Sequence, residues 1–378
     1  MKLRPPASEG EREAANYMAG ILERECGCKE VITETFTTHP AAFYGYFFFT
    51  AALCTLCTLF FFISQWMSIV FGCMCVFLFI SQFVLYREII DPLFPEKESV
   101  NVTAIRSCHG ETRQRILLNG HTDAAWEFPL NYHFGGIVFE IPGVASLSGV
   151  IIYTILSVLA LSGAGEWVRI VGLSGLVFIP FYILLACTYN IRRTVEGAND
   201  NLTGCFLGIA LLREMEQKGI RLEHTEIGVL LTGSEEAGTK GAKHWSKMHK
   251  NDFNDVPTYI LCLDTIHDPD QLMVNNRDLN STVRSDPMLC ETFMQAAKAA
   301  GVPCKNGRVP LFGGSTDSAA FTQGGFRSVG ITGLSHILEN YYHTRRDSWD
   351  NLNPEGLDNC FKAVDMFVRL MDEKITDK

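Results

Sequence analysis

Residues 35–86 contain no Asp, Glu, Lys or Arg, and two more charge-free runs follow at 141–165 and 170–191. Stretches such as LFFFISQ and CVFLFISQFVLY are hard to bury inside a chain of 378 residues. A bilayer offers the alternative, since a helix of roughly 20 residues at ~1.5 Å per residue crosses a ~30 Å hydrocarbon core. The first apolar block, residues 41–86, therefore fits two helices near 41–63 and 67–86, with SQWMS (64–68) as the turn. Gln65 and Trp66 suit an interface there. The second block divides near 145–163 and 168–188 about GAGEW. Two helical hairpins and four spans in contact with lipid are expected. Four buried core helices would be the alternative, but two adjacent apolar pairs exceed what so small an interior can hold.

The remaining sequence alternates strand and helix patterns. Residues 30–37, 98–105, 115–118, 226–232, 259–264 and 328–331 read as strands, and 9–25, 202–217, 240–249, 286–300 and 354–373 as helices. Such alternation predicts an α/β three-layer sandwich around a mostly parallel mixed sheet. The hairpins would interrupt it: 1–40 opens the α/β domain, 41–87 is the first hairpin, 88–143 returns to the domain, 144–190 is the second hairpin, and 191–378 completes the domain. Because each hairpin returns the chain to the side it left, the domain stays whole on one face of the membrane.

A net charge of −10 argues against a nucleic-acid binder that works by neutralising phosphates. The 13 cysteines are odd in number and scattered. Cys54, Cys57, Cys73, Cys75 and Cys187 lie in apolar runs, where they act as small hydrophobes, and the set suits a reducing compartment. The first 20 residues are polar and helical and carry no secretory signal pattern. Arg87, Arg192 and Arg193 flank the spans on the domain side against Arg169 on the far side, a bias that favours a cytoplasmic α/β domain.

Acidic and imidazole side chains recur at the ends of the expected strands. His121-Thr-Asp123 follows RILLNG, Asp200 precedes a helix in GANDNLTG, Glu235-Glu236 follow GVLLTGS, Asp264 ends YILCLD, and His343 lies in NYYHTRRDSWDNLN. One such residue is usually a cap or a solvated loop position, but five sites in order are hard to attribute to chance. Two divalent metals held close together need nitrogen and carboxylate donors with one carboxylate shared, and a free carboxylate to take a proton from water. A Glu-Glu doublet supplies one ligand and one base.

GHTDA (120–124), EGANDNLTG (196–204), GSEEAGTKGA (233–242), CLDTI (262–266), STDSAAF (315–321) and YYHTRRDSWDNL (341–352) together resemble the co-catalytic zinc aminopeptidases of peptidase family M28. That family also contains glutaminyl cyclases. The resemblance implies two Zn2+ per chain and a peptide substrate. By position, His121 and Asp264 would hold one ion, Glu236 and His343 the other, and Asp200 would bridge them. Glu235 would be the general base, and Asp123 would orient His121. Tyr342 or Tyr341 would assist the reaction, and Asp317 matches a recurring acid without a settled role. Relatives have a short gap where 78 residues separate His121 from Asp200 here, so the hairpins read as insertions. A one-zinc glutaminyl cyclase and an inactive membrane scaffold stay open as alternatives, as does the oligomeric state. Asp278, Arg284 and Asp286 read as surface charge, and Lys240 and Lys243 as solvated helix positions. His267 is close enough to Asp264 to contribute, whereas His109, His133, His224, His244, His249 and His336 have no metal-binding spacing.

Overall fold

The computed structural model describes residues 2–335 and 339–376, so His336 lies outside the described residues. The strands are β1 (Glu30–Thr38), β2 (Lys97–Arg106), β3 (Gln114–His121), β4 (Trp126–Glu127), β5 (Asn190–Thr194), β6 (Thr225–Thr232), β7 (Thr258–Ile266), β8 (Met273–Asn275), β9 (Arg277–Asp278), β10 (Val283–Arg284), β11 (Lys305–Gly307) and β12 (Arg327–Gly333). Eight of them form one sheet in the order β1-β2-β6-β3-β7-β12-β8-β11. Its centre, β6-β3-β7-β12, is parallel, while β1-β2, β2-β6 and β12-β8 pair antiparallel. The central strands are apolar on both faces, as buried parallel strands must be. In β3, Ile116 and Leu118 join one core and Leu117 the other, because successive side chains point to opposite faces.

Helices cover both faces and make the expected three layers. On one face lie α1 (Glu9–Glu25), α8 (Thr203–Gln217), α10 (Pro287–Ala299) and α12 (Pro354–Thr376). On the other lie α9 (Lys240–His249) and α11 (Asp317–Gly324), with Trp245 and Phe321 at the centre of that core. Ser8 caps α1 by accepting from the Glu11 N–H at 3.2 Å, and Ala14, Ala15, Met18 and Leu22 form its buried stripe.

The two hairpins leave this sandwich as a separate bundle. The first is α2 (Ala41–Phe61) and α3 (Gln65–Leu78), which continues as a π-helix to Val84. The second is α5 (Gly136–Leu161), entered through the short α4 (Pro129–Phe134), and a return made of α6 (Trp167–Ser174), a 3-10 turn and α7 (Ile179–Ala186). These are four helices long and apolar enough to cross a membrane. Only 28–39% of each is buried within the molecule, so most of their apolar surface faces outward. The hairpins lock together through Cys54, Phe61, Tyr153 and Tyr182, with a hydroxyl contact of 3.2 Å between Thr58 and Tyr182. Small polar contacts of this kind hold helices together where no hydrophobic force can. Helix α5 starts nine residues before the expected 145, because Pro142, which looks like a helix breaker, sits in its second turn and forfeits only one backbone bond.

Both junctions with the sandwich are built from charges. Lys240 is buried and pairs with Asp91 and, at 2.9 Å, with Glu88. Lys243 donates to the Tyr86 carbonyl at 2.7 Å. Neither lysine is the solvated helix residue the sequence suggested: together they tie α9 to the exit of the first hairpin. Beneath the second hairpin β4 and β5 pair antiparallel, and buried Glu127 accepts from Arg345 at 2.6 and 2.9 Å.

Candidate active site

His121 ends β3, Glu235 and Glu236 follow β6, and Asp264 lies near the end of β7, so the parallel strands deliver three elements of the site to one edge. Asp200 comes in on the loop before α8, whose first turn sits directly on the end of β3. That approach needs glycine twice. A Cβ on Gly120 would lie 2.5 Å from the Cys205 nitrogen, and one on Gly204 would lie 2.2 Å from the Leu263 carbonyl oxygen. His343 arrives on the loop before α12. Ser234, Thr265 and His343 all have positive φ (54°, 49° and 51°), an uncommon state for residues other than glycine that gathers at functional sites.

Asp200 sits between the two imidazoles. Its Oδ1 lies 3.1 Å from His121 Nε2 and its Oδ2 lies 3.1 Å from His343 Nε2. Glu236 Oε1 is 3.3 Å from His343 Nε2, and Glu235 Oε2 is 3.9 Å from His121 Nε2. Asp123 is fully buried behind them, with Oδ1 3.3 Å from His121 Nδ1. Its two oxygens also accept the backbone N–H groups of Glu235 and Glu236, each at 3.0 Å. One carboxylate thus fixes both the imidazole and the Glu-Glu turn. His121, Asp200 and Glu236 bring donor atoms within 4.8 Å of one another, a group able to hold a metal ion. Asp264 stands outside that group but faces the same cavity.

The charge balance shows what the site lacks. Asp123, Asp200, Glu235, Glu236 and Asp264 surround two imidazoles, and among the described residues no Lys or Arg pairs with any of them. Burial pushes Glu235 well above the usual carboxylate range, and the charges of Asp317, Asp264 and Glu236 push the same way. Burial and the charge of Asp200 raise Asp264 to about 8. Burial opposes protonation of His343, but Glu236 and Asp200 outweigh it and raise the imidazole to about 10. Glu236 Oε1 is buried with only the His343 ring nitrogen, at 3.3 Å, beside it. So many buried acids, arranged around two imidazole nitrogens, suit divalent cations with N and O donors.

The other expected residues divide. Tyr342 stacks on His343 with ring centroids 4.1 Å apart and lines the cavity. Tyr341 turns away and donates to Asp268 at 3.3 Å. His267 uses both ring nitrogens, on Asp268 and on the Asn351 carbonyl, which leaves none for a metal. Asp317 lies one layer below and is bonded to the Thr232 hydroxyl. Asp278, read as surface charge, is buried and accepts from Leu279, Ser315, Thr316 and Ser318, which fixes the loop beside the cavity. Asp286 caps α10 and pairs with Arg327 at 2.6 Å, while Arg284 is exposed.

Four supporting residues escaped the sequence reading. Asp347 accepts from the N–H groups of Asn199 and Asp200 at 2.7 and 3.1 Å, and it lies inside a motif already noted. Glu11 accepts from the Ser234 N–H at 2.6 Å; its signal is an acid on the apolar face of α1. Tyr86 and Tyr189 roof the cavity, of about 350 Å³, from the ends of the two hairpins. Nothing in an apolar run announces that role.

Peptidase family M28 matches residues 179–368. Among solved structures, a Zn-dependent exopeptidase from Parabacteroides distasonis shares 13% identity at a TM-score of 0.54, over 98% of this chain and 92% of that one. Glutaminyl cyclase from Porphyromonas gingivalis shares 13% at 0.56, over 98% and 93%. An aminopeptidase from an Aneurinibacillus strain shares 17% at 0.44 over 72% of this chain, which spans about half (48%) of that one. No curated protein sequence matches. The likenesses to the exopeptidase and the cyclase establish an α/β aminopeptidase-like fold, and the family match covers half of the sequence. The chain belongs to peptidase family M28, whose members are zinc-dependent.

Proposed function

We propose that the protein is a membrane-anchored di-zinc metallopeptidase that removes N-terminal residues from peptides. The observation that carries this reading is Asp200, which turns one carboxylate oxygen to each of two buried imidazoles. His121 and Asp264 would hold one ion, His343 and Glu236 the other, with Asp200 shared. When bound, zinc supplies Lewis acidity and a water acidified toward ~7. Glu235, 3.9 Å from His121 and held by its own N–H on Asp123, would take a proton from the attacking water and hand it to the leaving amine. Asp123 holds the His121 ring in place. Tyr342, stacked on His343, stands where the substrate carbonyl would pass. Four apolar helices that return in pairs to the sandwich support anchoring in a bilayer, and the excess of arginine on the domain side (Arg87, Arg192 and Arg193 against Arg169) supports a cytoplasmic catalytic domain.

Detergent-purified protein is expected to hydrolyse aminoacyl-arylamides and to lose this activity with a chelator. Glu235→Gln should lower kcat roughly 10²- to 10⁴-fold while zinc content, counted by mass spectrometry, stays at two per chain. Undiminished turnover in that variant would sink the assignment of the base. One zinc per chain, together with cyclisation of N-terminal glutaminyl peptides, would point to the cyclase chemistry found on the same fold.

A further inference from the structure

The cavity at the carboxylates does not end there. It continues between the hairpins, past Phe47 and Phe139, and reaches Cys54, Cys75 and Ser146. Cys54 stands thirteen residues into α2 and Ser146 ten into α5. At ~1.5 Å per residue the cavity descends roughly 15–20 Å, about half of a ~30 Å hydrocarbon core.

Its chemistry says what it takes. Aromatic walls call for an apolar occupant. Ser146, however, is 1% exposed and its hydroxyl has no hydrogen-bond partner. A hydrocarbon chain would leave that hydroxyl orphaned at a depth without water, whereas a peptide brings a carbonyl and an N–H with every residue. The rim is apolar as well: Leu311 and Phe312 line the cavity and are exposed. The Phe312 ring lies 5.4 Å from Phe79, so this loop leans on the first hairpin at the height of its lipid-facing surface.

We propose that the cavity holds, in extended form, the apolar residues following the scissile bond of a peptide drawn from the bilayer. The proposal rests on the reading of the site as a membrane peptidase and names its substrate class. The amino end lies at the carboxylates, and the chain runs down between α2 and α5. At ~3.3 Å per residue, the depth takes about five residues.

The test uses the full chain in nanodiscs and two series of hexapeptides with the same first residue. Residues 2–6 are apolar in one series and Ser, Gln or Glu in the other. A probe version carries a photoreactive phenylalanine at position 4 and a reduced, uncleavable first bond. Cross-links are expected on α2 and α5 and should be displaced by apolar but not by polar peptide. Gly143 lines the cavity, and a Cβ there meets nothing within 4 Å, so Gly143→Trp is compatible with the fold. That variant should lower cross-linking at least tenfold. It should also lower the kcat/KM of the apolar peptide at least tenfold relative to an aminoacyl-arylamide. Equal labelling by both series, cross-links confined to the sandwich, displacement by an N-acyl glycine instead of peptide, or an unchanged ratio in Gly143→Trp would overturn the proposal. If wild-type protein leaves the arylamide uncleaved but the cross-links persist on α2 and α5, the peptidase reading fails and the occupant of the cavity stands.

Discussion

At the residue scale, the site is a problem of surplus negative charge solved by position. Asp200 is held below the usual carboxylate range even though it is buried, because an imidazole faces each of its oxygens. Its backbone is pinned by Asp347, so Asp347→Ala strips the partners from two buried N–H groups and should cost about 2–4 kcal/mol. Chemical denaturation measures that loss, and zinc affinity should fall with it. Glu11 gives the pH dependence. Burial, then the charge of Asp123, raises its carboxyl from an ordinary 4.5 to about 8. Between those values the unfolded chain has released a proton that the native protein keeps, so this group makes stability fall as pH rises from about 4.5 to about 8. Glu11→Gln removes the titration. Its thermal midpoint relative to the parent should therefore be higher at pH 8 than at pH 5, and an unchanged difference would refute the assignment.

At the scale of elements, the hairpins are not loosely appended, since each is clamped where it leaves the sandwich. The Lys240–Asp91 pair is nearly fully buried, so removing one partner strands the other. Lys240→Met should destabilise by about 3–5 kcal/mol, and the double replacement with Asp91→Leu should recover much of that. A denaturation-based double-mutant cycle reads the coupling. The charged positions of α9 show why such residues mislead in a sequence: Lys240 and Lys243 have the spacing of a solvated face, and only the passage of residues 86–91 over that face buries Lys240 and half-covers Lys243. Helix α1 shows the opposite case, where Ala14, Ala15, Met18 and Leu22 mark the buried stripe from spacing alone.

For the whole molecule, the proposed anchoring puts the hairpin turns, residues 62–64 and 162–166, on the membrane face opposite the sandwich. A cysteine at Ser162, an exposed position, should react with an impermeant maleimide from outside intact cells, while half-buried Cys304 reacts only after lysis. Reaction of Cys304 in intact cells would reverse the orientation. Cys290 is 5% exposed and is a poor reporter.

The sequence by itself determined the elements and the donor set. Periodicity of two or 3.6 and the charge-free runs depend on solvent contact residue by residue, and the candidate donors lie in short motifs at strand ends or in the loops before helices. Tertiary structure alone decided what fills the space between them. The pairing of Glu127 with Arg345 joins positions 218 residues apart, and the buried setting of Lys240 and Asp278 comes from distant segments. The descent of the site into the hairpin bundle likewise depends on how four helices, apolar over most of their length, turn their faces to one another. Apolar composition specifies that a face is hidden from water, but it does not specify whether lipid, a neighbouring helix or a substrate covers it.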